Sequence, residues 1–351
     1  MWKEATKSVE SLSSLKEIWE KKRKHLTLQV ATGQILKLKS LGKAGAEGKL
    51  YLVEGLGNIV AKVFNSPDIA RKKEYKIESM IRLFQVVKDT NPSLFNYFLK
   101  NITFPRAKLY TKEREFCGFI MNKVETKDCL SLGQFLEKYR DYSRPTDYSL
   151  KIVVVERLVE IVEKLNREGI VVGDMNYDNV FICKCPERTI RVKLVDVDSF
   201  QFQWGGEFFR LDGIHPDLVA PEILRGELPS VRTDSFVIAI LMFKILMNGF
   251  SPFQYVPDEE NDEMVEERIL KGRNVFNSGK PPKGLPSFEF LGNLKDIIEK
   301  ALNPEPFKRP STTEILTVIQ ETKKNIRVCP SGHHTIPSSE GKCLFCYSIV
   351  S

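Results

Sequence analysis

The chain has 351 residues, 42% apolar and 28% charged, with a formal net charge of +7. At roughly 100 to 200 residues per domain this length gives two or three packed units, and the composition excludes a disordered or fibrous chain. The strongest apolar run, Phe236 to Phe243, falls far short of the roughly 20 residues that cross a bilayer. The first residues lack a signal-type apolar segment. Seven unevenly spaced cysteines do not make a secreted disulfide framework, so no membrane and a reducing cytoplasm are expected. Residues 1–122 carry 23 basic and 12 acidic side chains, and 123–351 carry 30 and 34. Without a basic stripe interleaved with aromatics, a nucleic-acid partner is not expected.

In chain order, apolar Ala5, Val9, Leu12, Leu15 and Trp19 predict a helix over 3–25, ending in the basic run Lys21 to Lys24, read as a solvated helix end. Short β-like runs follow at Leu26–Val30, Ile35–Leu38, Leu50–Val53 and Ile59–Phe64. A helix carrying Ile77, Met80, Ile81 and Phe84 precedes another strand at Phe116–Met121. The long periodic segments Ile152–Glu168 and Ser235–Met247 read as helices, and 274–286 as a Pro/Gly/Asn-rich loop. A β-rich smaller part before a helix-rich larger one is an α+β arrangement. No internal repeat is present.

Three segments carry chemistry. Gly42, Gly45 and Gly48 lie between two predicted strands, where glycine lets backbone N–H groups approach phosphate oxygens; a tight turn is the plainer reading. It is not a Walker A loop, because Leu50 stands where Ser or Thr would hold magnesium. Lys62 interrupts the apolar strand Ile59–Phe64, either reaching solvent or serving as a fixed cation for phosphates. Its carboxylate partner would come from the next helix, Glu74 being favoured over Glu78. Third, Asp174 and Asn179 share one loop and Asp196 ends a later strand, a set of hard oxygen ligands of the kind magnesium prefers. Phosphoryl transfer needs such parts, a carboxylate for the attacking hydroxyl and metal ligands for the triphosphate.

With these residues on the page, the sequence resembles the protein-kinase superfamily over roughly residues 35–325. The glycine loop, Lys62, Asp174 with Asn179, and Asp196 match in order the family's ATP-phosphate loop, phosphate-orienting Lys, catalytic base with metal-binding Asn, and metal-binding Asp. Ala220-Pro221-Glu222, Asp234 and Arg309 match the close of the activation segment, the buried capping Asp and the Arg that pairs with that Glu. More narrowly, Phe104-Pro105, Gly118 to Met121, Gly173 to Asn176 and Asp196 to Gln201 resemble a bacterial branch of eukaryotic-like Ser/Thr kinases associated with tellurium-resistance-type gene clusters. The resemblance implies a bilobal kinase-like fold, ATP with Mg²⁺ or Mn²⁺, a protein substrate, and an adenine pocket at Met121, Asn122 and Val124. Departures accompany the matches. The glycine loop has one residue too many between its first two glycines, and Gly173 replaces the Arg that commonly precedes the catalytic Asp. Asn176 stands where such kinases place a catalytic Lys, and Asp198 replaces a Gly and is read as a further metal ligand or a stiffened turn. No Thr or Tyr lies between Ser199 and Val219, so phosphorylation of that segment is not expected.

The last 23 residues hold Cys329, His333, Cys343 and Cys346, two knuckles of x3 and x2 spacing. Three thiolates and an imidazole would close a tetrahedral Zn²⁺ site, with His334 as the alternative to His333. Cys183 and Cys185, alternating along a strand end, are read as free thiols, as are the remaining two cysteines. The expected organisation is a helix over 1–28, a small lobe over 29–122, a large lobe over 123–328 and a zinc-ribbon-like module over 329–351. A pseudokinase scaffold presenting the tail to a partner is the competing reading, and a small-molecule kinase a weaker one.

Overall fold

A computed structural model describes Ser13 and residues 25–42, 45–125, 127–187, 189–257 and 263–350. The helix expected over 3–25 lies outside the described residues, save Ser13 and His25. The chain divides into two compact units, one running up to Glu125 and taking in Val195–Asp198, the other comprising Thr126–Leu194 and everything from Ser199.

In the first unit β1 (His25–Val30), β2 (Ile35–Ser40), β3 (Gly48–Val53), β4 (Ile59–Phe64), β5 (Ala107–Tyr110) and β6 (Phe116–Asn122) form a closed antiparallel barrel in the order β1-β2-β3-β4-β6-β5. The period-two alternation of β1 and β2 places Leu26, Leu28, Leu36 and Leu38 inside with Val53, Ala61, Val63 and Leu109. The opposite faces of β4 and β6 present Val60, Phe64, Phe119 and Met121 to helix α1 (Pro67–Thr90), which meets them with Ala70 and Ile77. Covering both faces explains why β4 reads as continuously apolar. At Gly118 an added Cβ would lie 2.1 Å from the Lys62 carbonyl, so a residue without a side chain is what lets β6 come this close to β4. Ser66 caps α1 by accepting from the Ile69 N–H, with Pro67 in the first turn. Helix α2 (Pro92–Asn101) follows.

The second unit opens with β7 (Cys129–Ser131), α3 (Leu132–Lys138) and α4 (Asp147–Arg167); β7 then joins β8 (Val180–Lys184) and β9 (Ile190–Leu194) in one sheet. Short β10 (Phe202–Trp204), β11 (Glu207–Phe209) and α5 (Pro221–Leu224) lead into α6 (Val231–Leu246). Helices α7 (Val265–Lys271), α8 (Leu294–Ala301) and α9 (Thr312–Lys324) complete it, before the two-stranded β12 (Arg327–Val328) and β13 (His334–Thr335). Helix α6 is buried on every side from Thr233 to Leu246, so the apolar run noticed in the sequence is a core helix. No helix among the described residues is long and apolar enough to cross a membrane.

One cysteine expectation is corrected. Cys129 and Cys183 form a disulfide, because the β7–β8 register sets them directly opposite with Cα atoms 4.0 Å apart. Cys117 and Cys185 remain thiols.

The tail packs on the second unit. The Phe345 ring lies 5.6 Å from Tyr142 and 5.2 Å from Phe290, and the His334 N–H donates to the Pro145 carbonyl at 2.7 Å. Deeper in the same unit, Arg309 donates to both Glu222 oxygens at 2.8 and 2.7 Å, with the two side chains 0% and 2% exposed. Burial would push the Glu222 carboxyl up, but hydrogen bonds from Arg309 and Thr233 hold it below its ordinary value. Its stabilising contribution is therefore present above about pH 4.3 and lost as the pH falls. We predict that Arg309→Met, which strands a buried carboxylate, lowers unfolding free energy in urea by about 3–5 kcal/mol at pH 7 and by less at pH 4. A loss below about 1 kcal/mol at pH 7 would contradict the pairing.

Candidate active site

The first unit contributes a glycine turn and an ion network. Gly42 and Gly45 lie between β2 and β3, and Gly48 opens β3. The Gly45 N–H donates to the Gly48 carbonyl at 2.9 Å, while the Asn65 amide donates to the Gly45 and Ala46 carbonyls at 2.8 and 3.0 Å. Asn65, unremarked in the sequence, thus ties the turn to the end of β4. Lys62 Nζ donates to Asp196 Oδ1 at 2.6 Å and to the two Asp198 oxygens at 3.0 and 2.9 Å, with Glu47 3.8 Å away. Burial draws the Lys62 ammonium down, and the Asp198 and Asp196 carboxylates outweigh it and hold it well above the ordinary lysine value. Asp196 takes a left-handed backbone, φ +58°, which a short polar side chain tolerates.

The expected partner of Lys62 is corrected here. Glu74 and Glu78 both bind Lys108 of β5, at 3.1 and 2.8 Å. The reason is helical register. The inward stripe of α1 runs Ala70, Lys73, Ile77, Met80, Phe84, Val87, which turns Lys73 inward and Glu74 about 100° away. Lys73 meets Glu47 at 3.0 Å. Both residues were missed, although a lysine at i−4 from Ile77 and i+3 from Ala70 is a visible signal.

Of the residues expected at the adenine pocket, Met121 is buried beside Val60 and Phe64. The Asn122 amide is fixed between the Leu99 carbonyl, 3.2 Å, and Arg106, 2.9 Å. Val124 follows the end of β6, half-buried.

The second unit supplies the acidic loop between α4 and β8. Buried Asp234, at the start of α6, accepts from the Val172 and Gly173 N–H groups at 2.9 and 2.7 Å and from Asn166 at 2.7 Å. Burial pushes its carboxyl up to about 6 against those donors. Asp174 accepts from Asn176 at 2.8 Å, from Asn179 at 3.0 Å and from the His215 N–H at 3.2 Å. The Asn176 oxygen accepts in turn from the Asp178 and Asn179 N–H groups, 2.9 and 3.1 Å, so Asn176 pins the loop. With its amide nitrogen on Asp174, Asn179 keeps a hard oxygen as a donor for a cation. Gly173 has φ +64°, and an added Cβ would fall 2.3 Å from Leu211, which explains why no arginine stands there.

In the tail the donor atoms of Cys329, His333, Cys343 and Cys346 all lie within 4.8 Å of one another. The Cys329 sulfur is 3.4 Å from His333 Nδ1 and 3.6 Å from the Cys346 sulfur. Edges of about 3.3–3.8 Å are what metal–ligand arms of about 2.0–2.3 Å give in a tetrahedron. His334 is instead part of β13, and His333 joins the cluster.

Residues 38–318 match the protein kinase domain. The chain belongs to the protein kinase family. It is similar to Protein kinase YegI of Escherichia coli O157:H7, 25% identical over 341 residues, covering 91% of this chain and 50% of the relative. The protein of the same name from Escherichia coli K12 is 24% identical over 337 residues, covering 90% and 49%. Calcium-dependent protein kinase 14 of Arabidopsis thaliana is 27% identical over 163 residues, 46% of this chain and 28% of the relative. The chain spans about half the length of the two bacterial relatives.

The kinase's acidic loop yields a test. Gly173→Ala is expected to cost at least about 1–2 kcal/mol of stability from the left-handed backbone alone. Adding Leu211→Ala should recover only the steric part. Unchanged melting in Gly173→Ala would contradict the geometry.

Proposed function

We propose that this kinase transfers the γ-phosphoryl group of ATP to Ser or Thr hydroxyls of a protein substrate, with Mg²⁺ or Mn²⁺ as its metal. The observation that carries the reading is the Lys62 network. Three carboxylates, Asp196, Asp198 and Glu47, surround two ammonium groups, Lys62 and Lys73, with Asp196 the most exposed of the three at 40%. Such a surplus of carboxylate beside a buried cation suits a divalent metal and a triphosphate. Asn179 and Asp196 would hold the metal, which when bound neutralises charge developing on the phosphates. Lys62 would orient the α- and β-phosphates, and the Gly42, Gly45 and Gly48 turn would bring backbone N–H groups to them. Met121, Asn122 and Val124 would form the adenine pocket. Asp174 would orient the hydroxyl and take its proton as the new O–P bond forms and the β,γ-bridging P–O bond breaks, with ADP leaving. Asn176 serves by holding Asp174 in place.

The converging donors of Cys329, His333, Cys343 and Cys346 support a structural Zn²⁺. The tellurium-cluster branch belongs to the same proposal, whereas the reducing cytoplasm expected from the cysteine pattern runs against the Cys129–Cys183 disulfide.

A pseudokinase reading draws support from the three donors already on the Asp174 carboxylate. A radiolabelled ATP assay with a cell lysate as substrate source separates the two. Asp174→Ala is expected to reduce incorporation about 10²- to 10⁴-fold. Equal incorporation by wild type and variant would refute the Asp174 assignment. Elemental analysis should find one zinc per chain, lost in Cys343→Ser, while a metal-free tail with unchanged melting would refute the zinc site.

A further inference from the structure

Asp198, expected from the sequence as a further metal ligand or a stiffened turn, and Lys73 are deeply buried charges whose contacts point to another role. We propose that Asp198 is the positioning residue of Lys62, held on it so that Asp196 can turn to the metal, and that Lys73 with Glu47 clasps the glycine turn to α1. The inference rests on the phosphoryl-transfer reading above and concerns how its cation is held.

Metal binding at Asp196 would act on Lys62 as well. Its side chain is only 10% exposed, inside a strand otherwise made of Ile, Val, Ala and Phe. A carboxylate that coordinates a divalent cation directs its lone pairs there and weakens its bond to an ammonium. Were Asp196 the sole partner, metal binding would strand a buried charge. Asp198 prevents this. Both of its oxygens lie within 3.0 Å of Lys62 Nζ, and its side chain is 2% exposed against 40% for Asp196.

Helix α1 fixes the rest. Its inward stripe offers β4 a lysine where a carboxylate could have met Lys62. Lys73 beside Lys62 would be repulsive without carboxylates between them. Glu47 lies 3.0 Å from Lys73 and 3.8 Å from Lys62, and Asp198 lies 2.9 Å from Lys62. The charges therefore alternate, leaving Asp196, at the solvent side, as the carboxylate the network can release. Because Glu47 belongs to the glycine turn, the same alternation couples that turn to the helix.

The test uses the whole chain with Asp198→Asn or Asp196→Asn. One readout is the rate at which an amine-directed acylating reagent labels Lys62 in metal-free, nucleotide-free protein, followed by peptide mass spectrometry. The other is the Mg²⁺ midpoint for binding a fluorescent ATP analogue. Asp198→Asn should raise Lys62 labelling about tenfold or more, the effect of losing charge-assisted hydrogen bonds to Nζ, weaken nucleotide binding and leave the Mg²⁺ midpoint within about twofold. Asp196→Asn should raise the midpoint about tenfold or more and change labelling less than Asp198→Asn does. Unchanged labelling in Asp198→Asn, or a shift in its Mg²⁺ midpoint equal to that of Asp196→Asn, overturns the assignment. If Asp198→Asn does not fold, Asp198→Glu gives the same readouts: near-wild-type labelling with an unmoved midpoint supports the proposal, and a moved midpoint overturns it. Wild-type protein that binds no nucleotide overturns the phosphoryl-transfer reading instead. The labelling arm needs neither nucleotide nor metal and still decides the role of Asp198.

Discussion

An ammonium group inside an apolar strand is the constraint to which the first unit answers. Lys62 cannot be left in β4 without charge around it, since an unpaired buried cation costs more than the strand's packing returns. Its neighbours follow from that demand. Gly118 lets β6 come close on one side, α1 turns Lys73 inward on the other, and Val195–Asp198 joins this unit with two carboxylates although β9, just before it in sequence, lies in the second unit. Glu47 then serves the second lysine, and through it the glycine turn is fixed to the same network. Electrostatic necessity, more than strand propensity, ties these distant parts of the sequence together.

The second unit answers a different constraint, that of a loop which must stay polar at the edge of an apolar core. Asp234 receives two consecutive backbone N–H groups and a side-chain amide, fixing the turn from which Asp174 projects. Asn176 and Asn179 then fix Asp174 itself, so the carboxylate is aimed by neighbours within five residues. The Glu222–Arg309 pair, fully buried, joins α5 to the segment before α9.

Much of this was legible in the chain. Five of the six barrel strands, all but β5, and the helices at 67–90 and 147–167 follow apolar periodicity because each has one or two faces in a core, while 231–246 stood out as an apolar run because it is buried all round. Lys62, Asp174, Asn179 and Asp196 stood out as polar residues in apolar surroundings. What escaped was side-chain geometry. Glu74 was favoured over Glu78 as the partner of Lys62 because it heads the apolar run of α1, while the choice of face was made by Ala70 and Ile77 packing on β4. The Cys129–Cys183 bond escaped for a related reason, since the residues are 54 apart and only the β7–β8 register sets them opposite each other. Asp198 was visible as a departure, but its attachment to Lys62 depended on how the chain turns after Asp196.

The closure of β1 onto β5 has a consequence for how other molecules can approach. An open sheet offers unpaired N–H and C=O groups along its outer strands, a ready template for another chain's extended segment. Among the described residues β1 is hydrogen-bonded to β2 and, at Gln29 and Val30, to β5, while the Thr27 carbonyl and N–H, which β5 does not reach, pair with Ser13. The backbone template that such a strand would offer is therefore already in use along β1, which leaves side chains to carry selectivity for a partner there.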